Sequence, residues 1–262
     1  VNVITPQHRR MRRAPAAAAL LLAPLLALTA CATRPAEPGP EPTEAAAEPA
    51  AARQSATPPR AAEPDRPGIA GLTDPAWIAE TAALTGIPER ALRAYAGAAI
   101  TKAEQMPQCG LGWNTIAAVG FAESDHARYG GRTLGEDGLP SEPIFGLPLD
   151  GRGVEEIPDS DGGEIDGDAE FDRAVGPMQL IPQTWRNWHV DAGADGIEDP
   201  QQIDDAVLAT ANYLCRAAGE GMVSDAGWRQ GIRSYNTNPD YLVKVSAEAT
   251  RFADLIGTAP AP

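Results

Sequence analysis

Histidine, cysteine and basic charge are all scarce in this chain: three His, three Cys, and 21 Lys and Arg against 36 Asp and Glu. With His8 in a basic leader, only His126 and His189 remain, too few for a histidine-rich metal centre, and no Cys/His ligand spacing of a zinc site occurs. A formal net charge of −15 leaves no basic patch for a phosphate backbone, so nucleic acid is not an expected partner. There is no Gly-x-Ser-x-Gly elbow, phosphate-binding loop or dinucleotide fingerprint. Period-2 alternation is scarce as well. The expected fold class is therefore mainly α, with any sheet confined to a small hairpin in the glycine-rich middle, 130–175.

What is present begins with a basic run, His8 to Arg13, followed by Ala- and Leu-rich residues 14–28. Both parts are complete from Met11 onward. A basic segment, a short apolar segment and small residues at a cleavage site describe an export signal over 1–30, too short for a stable membrane span. Its end, Leu28-Thr29-Ala30-Cys31, resembles a bacterial lipobox, in which the cysteine is lipidated and becomes the mature N-terminus. The expected localisation is then the outer face of the cytoplasmic membrane, in the cell envelope, held by lipid on Cys31. Losing Arg9, Arg10, Arg12 and Arg13 takes the net charge from −15 to −19, a surface not drawn to anionic lipid by itself. Residues 31–70 are almost wholly Ala, Pro, Glu, Thr and Arg, and read as a disordered, semi-rigid stalk. One domain is expected over 71–258. If Cys31 is acylated, Cys109 and Cys215 are the pair left for a disulfide, with two buried thiols as the alternative.

Helix signals recur through that domain. Asp74-Pro75 opens a segment ending at Gly86, and Pro88 opens one reaching about Glu104. Trp113, Ile116, Ala117, Gly120 and Phe121 share one face of a third. Pro182 begins a short helix with Trp185 and Trp188. Asp199-Pro200 leads a stripe from Ile203 to Leu214, ending at Gly219; Asp225 caps another segment; Asn238-Pro239 starts the last.

Glu123 ends the third helix. Apolar neighbours and the negative end of the helix dipole both disfavour its anion, which makes it a candidate general acid. Asp125 is only two residues on, points elsewhere, and is expected to pair with Arg128 or cap the turn; His126 is read as a structural partner of that turn. Between Glu155 and Asp172 lie nine carboxylates and no basic residue. Two accounts of this loop stand side by side: a solvated acidic loop, and a structural Ca²⁺ held by Asp159, Asp161, Asp166 and Asp168. The loop departs from the EF-hand pattern at its sixth position, Glu164 instead of Gly. Asp172 and Arg173 read as a buried pair behind the loop that follows.

Four short motifs then occur in order: Glu123-Ser124, Gly176-Pro177-Met178-Gln179, Ala211-Asn212-Tyr213-Leu214 and Tyr235-Asn236. Together, over about residues 75–256, they resemble the spaced motifs of lytic murein transglycosylases, most closely the membrane-bound B-type group in the lipoprotein form of high-GC Gram-positive bacteria. The resemblance implies a lysozyme-like domain with a small irregular or β-hairpin insertion. It also implies cleavage of the MurNAc-β-1,4-GlcNAc bond of peptidoglycan glycan strands without water, giving 1,6-anhydroMurNAc ends. Glu123 would serve as acid and then as base, and no cofactor would be required. Ser124, Met178, Gln179, Tyr213, Tyr235, Asn236 and Tyr241 would form the substrate site, with Ser124 fixing the helix end and the tyrosines supplying ring faces and hydroxyls. The alternatives are a hydrolytic muramidase on the same scaffold, disfavoured because no second carboxylate accompanies Glu123 in sequence, and a non-catalytic peptidoglycan-binding lipoprotein.

Overall fold

The computed structural model describes residues 49–257; the segment expected to be an export signal and Cys31 lie outside them. Seven α-helices and one two-stranded antiparallel sheet make up the described residues, a mainly α fold with a small β insertion as the sequence predicts. In chain order they are α1 (Pro75–Thr85), α2 (Glu89–Gln105), α3 (Trp113–Ser124), β1 (Phe145–Pro148), β2 (Arg173–Val175), α4 (Pro182–Trp188), α5 (Ile203–Ala217), α6 (Asp225–Tyr235) and α7 (Pro239–Gly257). None of these helices is long and apolar enough to cross a membrane.

The helix signals act as local chemistry dictates. Asp74 accepts from the N–H groups of Ala76 and Trp77, and Gly86 closes α1 in the left-handed conformation. Two starts differ from expectation. The cap of α5 is Gln202, whose side-chain oxygen accepts from Asp204 and Asp205 N–H, while Asp199 uses its carboxylate on Gln201 N–H. Ser224 caps α6, one residue before Asp225.

Helix α3 is buried on all sides from Trp113 to Gly120, so it runs through the core and not along a surface. It packs along α7, while α2 lies against α3 and α5. Trp113 stands edge-on to Trp77 and against Phe252, and Trp228 donates its indole N–H to Thr115 Oγ1 at 3.1 Å. At Gly120 a Cβ would meet the Tyr95 hydroxyl at 2.2 Å; only glycine lets α2 approach α3 this closely. Arg90 of α2 and Asp204 of α5 form a bidentate buried pair at 2.9 and 2.5 Å. Cys109 and Cys215 are bonded, their Cα atoms 5.4 Å apart, and tie the turn before α3 to α5.

Residues 49–70, assigned to the stalk by composition, are bound to the domain as a strap. Asn114, wholly buried in the first turn of α3, donates to Arg53 O (2.9 Å) and Ala249 O (3.0 Å) and accepts from Ser55 N (2.9 Å). Gln54 takes the N–H of Gly112, Ser246 donates to Ala50 O, and Arg229 donates to Pro49 O. Further on, Ile69 packs on α2 where Gly97 leaves room for its carbonyl. An Ala/Pro-rich chain has little apolar surface to bury, yet its backbone can still be held by polar side chains that the domain supplies.

Candidate active site

Glu123 lies in the last turn of α3, which ends abruptly. Asp125, His126 and Ala127 all have φ between 51° and 66°, three successive non-glycine residues in the left-handed region. Such a run costs about 1–2 kcal/mol per residue and persists only where its surroundings impose it. Here they do. Asp125 pairs with Arg128 at 2.8 Å, and His126 Nδ1 meets the Tyr95 hydroxyl at 3.1 Å. Burial holds His126 down to a pKa of about 3, so it is neutral and structural. Ser124 Oγ accepts from Ala127 N (2.8 Å) and donates to Pro177 O (2.7 Å), fastening the helix end to the next motif.

That motif is a tight turn between Val175 and Leu180, which exchange both backbone hydrogen bonds. Gly176 has φ 76°, and a Cβ there would strike Pro200 O at 1.8 Å; Gln179 is itself left-handed, at φ 49°. Gln179 Nε2 donates to Gly176 O within the turn, and its Oε1 lies against Gly146 of β1.

Glu123 opens onto a groove of about 890 Å³. Gln179 and Leu180 from the turn, Tyr213 from α5 and Tyr235 with Asn236 from the end of α6 line it. Leu149, Val154, Glu155 and Ile157, leading into the acidic loop, form part of its lining too. Of the residues assigned to a substrate from sequence, the fold thus brings Glu123, Gln179, Tyr213, Tyr235 and Asn236 together. Ser124, Met178 and Tyr241 do not line the groove. Ser124 and Met178 are buried and engaged with the scaffold, and Tyr241 lies beneath Glu123. The tyrosine hydroxyls are also committed: Tyr213 donates to Ser234 O and Tyr235 to Met178 O, each at 2.5 Å, leaving ring surfaces for a ligand. Tyr213 stands edge-on to both Tyr235 and Trp188. Asn236 is exposed, with its Oδ1 accepting from Asn238 N at 3.0 Å.

The Tyr241 hydroxyl donates to Glu123 Oε1 at 2.5 Å. Burial raises the Glu123 pKa from 4.5 to about 7; the Tyr241 hydrogen bond and the charge of Lys244 pull it back only in part. Lys244 itself reaches the carbonyl of Ala122 and lies over the Phe121 ring. Asp125, tied to Arg128, is no partner for Glu123. The second carboxylate in the groove lining is Glu155, which is exposed. Sequence reasoning missed it because 32 residues separate it from Glu123 and it lies in a run that reads as solvated.

In the acidic loop the carboxylates whose oxygens lie within 4.8 Å of one another are Asp159, Asp161 and Asp172. Asp166 instead accepts from the N–H groups of Asp168 and Arg173, and Asp168 from those of Glu170 and Phe171. Asp159 and Asp161 accept backbone N–H groups as well, so the set of four is divided by position: Asp172, and not Asp166 or Asp168, completes the group of three. Counted from Asp159, Glu170 stands twelfth, where a calcium loop carries its bidentate Glu. Asp172 is buried but accepts from Ser160, whereas Arg173 donates to Gly146 O and lies over Phe145; the two are not paired with each other.

No family model, curated protein or solved structure matches the chain.

Proposed function

We propose that the chain is a lytic transglycosylase of peptidoglycan glycan strands. The observation that carries this reading is a carboxyl with a pKa of about 7 opening onto a long groove lined by amides and aromatic rings. Because Tyr241 donates to Oε1, the proton of neutral Glu123 resides on Oε2. It passes to the glycosidic oxygen between MurNAc and GlcNAc as that bond breaks. The substrate's own N-acetyl oxygen stabilises the positive C1, and Gln179 and Asn236 carry the amides suited to orienting it. Glu123 Oε2, now anionic, then takes the proton of the muramyl 6-hydroxyl as its oxygen closes on C1. The products are a 1,6-anhydro end and a GlcNAc end, water is not consumed, and Glu123 returns to its starting state.

Glu155 favours a second reading, hydrolysis, in which a second carboxylate in the groove lining would activate water. Mass spectrometry of digested sacculi separates the two. Anhydromuramyl ends from the wild type and none from Glu123→Gln are expected, and reducing muramyl ends would refute the lyase. The absence of any wild-type release would leave a non-catalytic binding protein. Lipid on Cys31 would hold the enzyme at the outer membrane face, with residues 32–48 as the spacer. A structural Ca²⁺ would take Asp159, Asp161 and Asp172; the reaction itself uses no cofactor.

A further inference from the structure

The groove has an uneven charge. Its lining includes two carboxylates, Glu123 and Glu155, and no Lys, Arg or His. Of the basic residues near it, Lys244 reaches the Ala122 carbonyl, Arg173 the Gly146 carbonyl and Arg186 the Ser160 carbonyl, while exposed Arg152 meets Asp150 at 3.5 Å. Glu155 also begins the run of nine carboxylates, so the potential along this side of the groove stays negative beyond the wall itself. A glycan is neutral in its sugar rings, and its charge lies in the peptide stems borne by the muramyl lactyl groups. Stems ending in free carboxylates would bring negative charge against Glu155 with no cation in the groove lining to receive it.

Building on the transglycosylase reading, we infer that this groove selects glycan whose stems carry no net negative charge, with Glu155 as the discriminating residue. Conversion of the stem carboxyls to carboxamides relieves this repulsion, whereas hydrolysis that removes a stem leaves the lactyl carboxylate in its place. Because Glu155 is exposed, each stem carboxylate lowers turnover by only about two- to threefold at low ionic strength, and salt screens the effect.

The test uses two strand preparations of equal length, one with carboxylate stems and one with the same stems as carboxamides. kcat/KM is measured for each at low salt and at high salt. The wild type is expected to favour the carboxamide strand over the carboxylate strand. That preference should shrink in high salt and in Glu155→Gln, and reverse in Glu155→Lys. Glu156→Gln, a change at the adjacent residue, which does not line the groove, should keep the wild-type ratio. Equal kcat/KM on the two strands, which match in bulk, would show that charge is not read, and would overturn the inference. So would a ratio that Glu155→Lys leaves unchanged. Lack of turnover on both strands would refute the transglycosylase reading itself, a result distinct from turnover without discrimination.

Discussion

Replacing Glu123 by Gln should stabilise the protein, and by an amount that depends on pH. The folded-state pKa of Glu123, about 7, lies above its ordinary value of 4.5, because burial penalises the anion. The folded protein therefore holds this proton to higher pH than the unfolded chain does. Its contribution to stability is most favourable below pH 4.5, falls as pH rises from there to about 7, and is constant above. Gln has nearly the same shape, can accept the Tyr241 hydrogen bond, and never ionises. The stability of Glu123→Gln relative to wild type should thus increase between pH 5 and pH 8 by on the order of 2 to 3 kcal/mol. Other titrating groups, such as Asp205 with its pKa raised to about 6, are common to both proteins and cancel in the difference. Urea unfolding of both proteins at the two pH values gives the number directly. Parallel stability curves would mean that Glu123 is not held protonated by the fold, and the argument for an acid at this position would fall. Activity offers a second check, since the acid form is consumed as pH rises through about 7 and kcat/KM should decline there.

Three further outcomes are expected. Tyr241→Phe removes the hydrogen bond that favours the Glu123 anion, so the descending limb of the pH–rate profile should move upward from about 7; a downward shift would contradict the assigned donor. Replacing Cys109 and Cys215 together by Ser frees a loop spanning a sequence separation of 106, and equilibrium unfolding should register a loss of about 4 to 5 kcal/mol by the chain-entropy estimate. Asn114→Ala leaves Ser55 N–H and two carbonyls without their partner and should cost about 2 to 3 kcal/mol; limited proteolysis should then cut near Arg53, and an unchanged digestion pattern would argue against the strap.

Local signals were legible because they act locally. Asp74-Pro75 and Gly86 bound α1 through caps that need no tertiary context, and the apolar run before Glu123 marked a buried helix wherever it lay. The strap was invisible because it is held by Asn114, Gln54 and Ser246 acting on backbone atoms, which leaves no periodicity in Ala/Pro-rich sequence. Glu155 was missed for another reason: its role depends on which wall the acidic loop joins, and composition alone favours solvent. The misplaced start of α5 was a contest between two acceptors. Asp199 makes a turn with Gln201 N–H, and Gln202 provides the side-chain cap despite its modest intrinsic preference. The left-handed run at 125–127 was equally hidden, because Asp and His tolerate that conformation while Ala gives no sign of it.

That run bears directly on how one carboxyl would act first as acid and then as base in the proposed reaction. Such a group must keep its position when its charge changes, or the second proton transfer finds it misplaced. Glu123 is fixed through three elements: its own helix, the 176–179 turn through Ser124, and α7 through Tyr241. At the far end of α3, Asn114 joins the same helix to α7 through Ala249 O and to the strap through Arg53 O and Ser55 N. The strain of three left-handed residues is offset by these ties, and it ends the helix one residue past Glu123, so the chain turns away at once and leaves the carboxyl open to the groove. A relaxed helix end would fray, and water reaching the carboxyl would return its pKa toward 4.5. The strained turn and the raised pKa are therefore one device: the first keeps the burial that the second requires.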